Sequence, residues 1–323
     1  MIDFLKVVTL ILVVIGHNKY IYQPDNNEII HYIFTSINPI IYSFHMPLFF
    51  ILSGGVYRIC LDYGKYTSFN NLFSKKYHRL IKPFLRTSIF IVFPIYFLTN
   101  NSNQSAINLF IQTITVQNAQ HLWFILDLFL IFIIAYFPIK YLNAYILLPI
   151  FFILNTLSYY SDVVFIQRFL VYSIWFYIGF LFLGKFISIK YRISKVILSM
   201  IIFVVLYYSY SKIGFNNILL KNLYFFILSL SGCLCTISLS NLIIRHFKDK
   251  IITSKTYNTL KDYSFEIYLY SCPIQMVFTS LINKFYSSPN DINSLLIYCV
   301  ELIIAIILPI YFTKLYRILN SSK

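Results

Sequence analysis

Residues 292–315 read INSLLIYCVELIIAIILPIYFTKL, a run in which Glu301 and Lys314 are the only charged side chains. As a helix rising about 1.5 Å per residue, it outreaches the ~30 Å hydrocarbon core of a bilayer. Working outward, nine more runs pass the same test. The full set is Phe4–Tyr22, Pro39–Cys60, Leu80–Leu98, Leu122–Ile139, Leu142–Tyr159, Val164–Phe186, Ile193–Tyr210, Ile218–Ile244, Ser264–Asn283 and Ile292–Leu315. The expectation is an all-α integral membrane protein, a bundle of about ten transmembrane helices. Residues 1–323 are expected to form one transmembrane domain with no additional soluble domain.

Composition says the same. The 323 residues are 59% hydrophobic, 20% aromatic and 11% charged. Soluble domains carry about 25% charged residues, and a chain this poor in charge cannot cover a surface facing water. The first partner is therefore the lipid bilayer.

The net charge of +15 raises nucleic acid as a partner, and its distribution answers against it. The basic residues fall in short clusters between apolar runs, at Arg58 to Arg86, Lys185 to Lys195 and Arg245 to Lys261. Threading the ten runs from a cytoplasmic N-terminus leaves Lys19, Arg168, Lys212, Lys221 and Lys284 outside and the other 21 of 26 Lys and Arg inside. That asymmetry places both termini in the cytoplasm by the positive-inside rule.

Of the five cysteines, Cys60, Cys233, Cys235, Cys272 and Cys299, four sit in apolar runs, where cysteine behaves as a small hydrophobe. Their spacing matches no metal or disulfide framework, so no metal is expected. Lys6 and the apolar run after it look like a short leader, yet no small-residue cleavage site follows. The first span is expected to be retained. The uncharged stretch Asn100–Gln120 suits either a short helix on the outer leaflet or a plain loop.

Ionisable groups inside spans are costly and point to function. Lys6 and His17 are eleven residues apart, which returns to one helix face about 16 Å along the axis. That face carries a cation near one boundary and an imidazole beyond it, beside Gly16. The plain alternative is that both mark span ends. His45 lies in Phe44-His45-Met46-Pro47-Leu48, where Pro47 frees a carbonyl in the preceding turn and bent membrane helices line cavities. It is either a proton acceptor or a histidine satisfied by a neighbouring helix. The loop segment Lys75-Lys76-Tyr77-His78-Arg79-Leu80-Ile81-Lys82-Pro83 serves orientation and anionic lipid, or a phosphate-bearing donor; spacing does not separate these. Asp127, Glu266 and Glu301 need a base, a proton or water, and one of them is expected to partner Lys6 or a histidine.

Taken in order, these residues resemble the acyltransferase 3 family, the multi-span membrane acyltransferases that include polysaccharide and O-antigen O-acetylases. The resemblance covers essentially the whole chain. It rests on Asp3-Phe4-Leu5-Lys6 through Gly16-His17, on Phe44-His45-Met46-Pro47 through Ser53-Gly54, and on Lys76-Tyr77-His78-Arg79 before Pro83. Leu122-Trp123-Phe124, Tyr177-Ile178-Gly179-Phe180 and Ile267-Tyr268-Leu269 add to it. Val7 replaces a common glycine, Lys76 an arginine and Ser271 a frequent histidine.

The resemblance implies transfer of an acyl group, acetyl from acetyl-CoA above all, to a sugar hydroxyl at a bacterial inner membrane, with no permanently bound cofactor. It implies His17 as general base with His45 assisting, and Lys6, Lys76 and Arg79 on the CoA phosphates. Ser53, Trp123, Asp127 and Tyr268 would line the acceptor cavity. A transporter or flippase of lipid-linked glycan would instead call for internal repeats and paired broken helices, and the sequence shows neither.

Overall fold

A computed structural model describes residues 1–18, 28–99, 105–115, 121–161, 163–285 and 291–321. Among these residues the regular structure is helical and there is no strand. In chain order the helices are α1 (Ile2–Gly16), α2 (Glu28–Asp62), α3 (Phe69–Leu98), α4 (Ala106–Ile114), α5 (Trp123–Tyr141), α6 (Ala144–Leu157), α7 (Val164–Ser188), α8 (Ile193–Lys212), α9 (Ile218–Thr253), α10 (Lys255–Asp262), α11 (Ser264–Phe285) and α12 (Asp291–Ser321).

Eight of them, α2, α3, α5, α7, α8, α9, α11 and α12, are long and apolar enough to cross a membrane. The first and fifth expected runs are the shorter helices α1, of 15 residues, and α6, of 14. Residues 19–22 of the first run lie outside the described residues. So do 100–104 and 116–120 of the uncharged stretch, whose described part is the helix α4, capped by the Ser105 hydroxyl. The apolar residues Ile197, Leu198, Ile201, Val204, Val205 and Tyr208 of α8 are exposed, as suits a surface solvated by lipid.

Lys75–Pro83, read from sequence as a loop, is helical. α3 runs through it by widening into a π turn at Tyr77–Ile81. Similar turns occupy Ile33–Ile37 of α2 and Ser88–Val92 of α3. Each ends two residues before a proline: Pro39, Pro83 and Pro94. Proline lacks an N–H and its ring crowds the carbonyl four residues back. A turn holding one extra residue swings that carbonyl aside and keeps the helix going.

The chain divides into two compact units. The first comprises Met1–Thr9, Tyr42–Tyr77 and Asp127–Asn258; the second comprises Leu10–Ile41, His78–Leu126 and Thr259–Lys323.

In the first unit α6 pairs with α7 and α8 with α9. Two contacts pin α2 there. A methyl group added at Gly54 would overlap the Phe176 carbonyl, and one at Gly179 the Ile51 carbonyl, so α2 and α7 cross backbone to backbone. Small residues at such crossings are how membrane helices gain close packing. Pro47 strips the Ser43 carbonyl of its helical donor, and the Ser229 hydroxyl of α9 donates to that oxygen at 2.6 Å. One turn on, the Cys233 thiol donates to the Phe44 carbonyl at 3.6 Å. Gly232 lies between them, and any side chain there would meet Phe44 Cβ at 2.7 Å. The bend at Pro47 is thus filled by α9.

In the second unit α11 pairs with α12, and Ile30 and Ile33 of α2 pack on Tyr298 of α12. Thr279 donates to Glu301 at 3.2 Å, and Arg317 to Glu266 at 2.8 Å.

Gly179→Leu should prevent recovery of monodisperse protein, since backbone cannot move aside as a side chain does. Ser229→Ala should lower stability by about 1–3 kcal/mol, the cost of an unmet buried acceptor. Thermal unfolding in detergent reads both, and wild-type behaviour of both variants would contradict this account of the packing.

Candidate functional site

His17 lies just beyond α1 in the second unit, 8% exposed. Its Nδ1 is 2.9 Å from the Val13 carbonyl oxygen. A carbonyl oxygen only accepts, and two lone pairs at that distance repel, so the proton sits on Nδ1. The neutral ring then keeps its lone pair on Nε2, the form a proton acceptor needs. The same turn is bracketed from two helices. Gln275 of α11, fully buried, donates from Nε2 to the Val14 carbonyl at 3.1 Å. Asn18 donates to the Tyr298 carbonyl of α12 at 3.4 Å.

Tyr268 and Trp123 also belong to this unit. The Tyr268 hydroxyl donates to the His121 carbonyl, and His121 Nε2 donates to the Leu269 carbonyl at 3.1 Å. This reciprocal pair ties α11 to the residues that open α5, where Trp123 is half-buried. Tyr268 is therefore committed to positioning backbone. Arg79 stands exposed in the π turn of α3.

The first unit holds Lys6, His45, Ser53, Lys76 and Asp127. His45 is fully buried, with the Tyr42 ring against it edge to face at 4.9 Å. Ser53 is half-buried, one residue before the Gly54 crossing. Lys6 pairs with Asp3 at 3.0 Å. Lys76 turns inward: it is 7% exposed, its Nζ 3.3 Å from the centre of the Phe132 ring and 5.3 Å from that of Tyr66. That cation–π seat adjoins Tyr57, which packs against Tyr66, Phe132 and Phe176. Beyond the spans, the Tyr257 phenol packs near Phe4, and burial with the Asp3 carboxylate pushes its pKa up.

Of the carboxylates, Asp3 meets Lys6, Glu266 meets Arg317, and Glu301 accepts from Thr279. Sequence reasoning missed Gln275, a neutral side chain inside an apolar run. Among the described residues no His, Cys, Asp and Glu cluster suits a metal ion.

Tyr268→Phe should free the start of α5. In a Trp175→Phe background, where Trp123 is the remaining tryptophan of two, its emission should broaden and shift. An unchanged spectrum would contradict the positioning role.

Compared with known proteins, residues 1–314 match the family model of the acyltransferase 3 type described as an acyltransferase domain. No curated protein and no solved structure matches the chain.

Proposed function

We propose, from the premise that this chain belongs to the acyltransferase 3 family, that it transfers acetyl from cytoplasmic acetyl-CoA to a sugar hydroxyl. The acceptor is a surface polysaccharide or lipid-linked glycan, and the site of action the bacterial inner membrane. In this reading α1 and α6 cross as short spans, making ten, with both termini cytoplasmic as the distribution of Lys and Arg favours.

The single observation that carries the reading is the 2.9 Å approach of His17 Nδ1 to the Val13 carbonyl oxygen, which assigns the ring proton to Nδ1. A sugar hydroxyl is a weak nucleophile near neutral pH and needs a base beside it. In a direct transfer, Nε2 of His17 takes the hydroxyl proton as the oxygen attacks the thioester carbonyl. The C–O bond forms, the C–S bond breaks, and the CoA thiolate leaves, receiving the proton from the imidazolium. Trp123 and Tyr268 of the same unit line the acceptor's path, and Arg79 serves the CoA phosphates.

Glycan from cells carrying the gene should gain mass in acetyl increments per repeat, and cells with the His17→Ala variant, expressed equally, should not. Normal O-acetylation in that variant removes His17 from the chemistry. Arg79→Gln should raise the KM for acetyl-CoA several-fold; a change in expression alone would end its role with the donor.

A further inference from the structure

α1 does not finish as a regular helix. The Asn18 N–H donates to the Ile15 carbonyl, three residues back, at 3.2 Å. A continuing α-helix would send it four back, to Val14. The turn is thereby tightened, and the Val14 carbonyl must find its donor outside α1. Gln275 of α11 supplies it, from Nε2 at 3.1 Å.

An amide is a costly way to fill that place. Gln275 is fully buried, and its Oε1 accepts from no described residue. Methionine, also long and unbranched, would fill the same space with no polar atom to strand. What the amide adds is a donor for Val14.

α11 holds that donor from both sides. Pro273 takes the helical donor from the Leu269 carbonyl, and His121 Nε2 meets that oxygen instead at 3.1 Å. One turn beyond Gln275, Thr279 donates to Glu301 Oε1 of α12 at 3.2 Å. The side chain that fixes the end of α1 thus stands on a helix tied to its neighbours.

His17 follows three residues after Val14. Its Nδ1 contact with Val13 sets the ring relative to α1 alone. The bonds of Gln275 and Asn18 set that turn relative to α11 and α12, and the Gln275 bond is the shorter, 3.1 against 3.4 Å.

We propose that Gln275 is a positioning residue for acyl transfer: by capping the Val14 carbonyl it fixes where Nε2 of His17 stands, touching neither donor nor acceptor. This rests on the reading of His17 as the base. Without the cap, the Asn18 N–H returns to Val14, α1 gains a regular turn, and the imidazole is carried with it. A displacement of about 1 Å is enough to slow a reaction about a hundredfold.

Gln275→Met keeps the length of the side chain and removes the donor. In membranes given labelled acetyl-CoA, kcat should fall at least about tenfold while the KM for acetyl-CoA stays within about twofold. Nitrogen-15 spectra of labelled histidine in nanodiscs should show the His17 ring signals shifted or broadened. Thr279→Val, which removes a hydrogen bond one turn away on the same helix, should leave those signals in place. If Gln275→Met does not fold, Gln275→Asn, an amide one methylene too short for Val14, is read in the same way. Unchanged His17 signals in whichever variant folds, a change in KM alone, or an equal shift in Thr279→Val overturns the proposal. If wild-type membranes transfer no acetyl, the enzymatic reading falls, and the His17 signals still decide whether Gln275 holds the turn.

Discussion

A carbonyl oxygen inside a bilayer has no water to turn to, and Pro47 leaves Ser43 with one. Such a group costs several kcal/mol in hydrocarbon, so the sequence that bends α2 must also supply a donor. Ser229 is that donor, and its reach is short enough to demand Gly232 beside it. One proline thereby dictates a serine and a glycine far along the chain. The same seam holds Phe44 and Cys233, next to His45, and the Gly54–Gly179 crossing holds α2 two turns later. A histidine so placed keeps its position because the backbone on both sides of it is fixed.

The second unit answers the same constraint differently. Where α1 ends, the ring of His17 itself occupies a carbonyl, while Gln275 and Asn18 join the neighbouring backbone to α11 and α12. The Val13 carbonyl already accepts the His17 backbone N–H, and the ring is its second donor. The by-product is chemical: by donating from Nδ1, the imidazole keeps a basic Nε2. An arrangement that holds backbone thus also assigns the tautomer of a neutral His17 ring.

The class of the fold was legible because apolar length and scarcity of charge are properties of the chain alone. The number of spans was less so. α1 and α6, of 15 and 14 residues, are shorter than the runs over residues 4–22 and 142–159. Lys75–Pro83 read as a loop because its charge implies water, but lysine and arginine are good helix formers and a π turn absorbs Pro83. The inward turn of Lys76 depends on Phe132, on a helix the sequence does not place beside it. His17 was found by its spacing from Lys6. Gln275 carries no charge and no motif, and only the fold reveals that its amide meets Val14.

The central claim is that the neutral His17 ring carries its proton on Nδ1 and its lone pair on Nε2. Nitrogen-15 NMR of selectively labelled histidine in nanodiscs, with His17 assigned by comparison with a His17→Gln variant, measures this directly. The account predicts a protonated, pyrrole-type Nδ1 and a pyridine-type Nε2 for His17 near neutral pH. A proton on Nε2 with the lone pair on Nδ1 would contradict it.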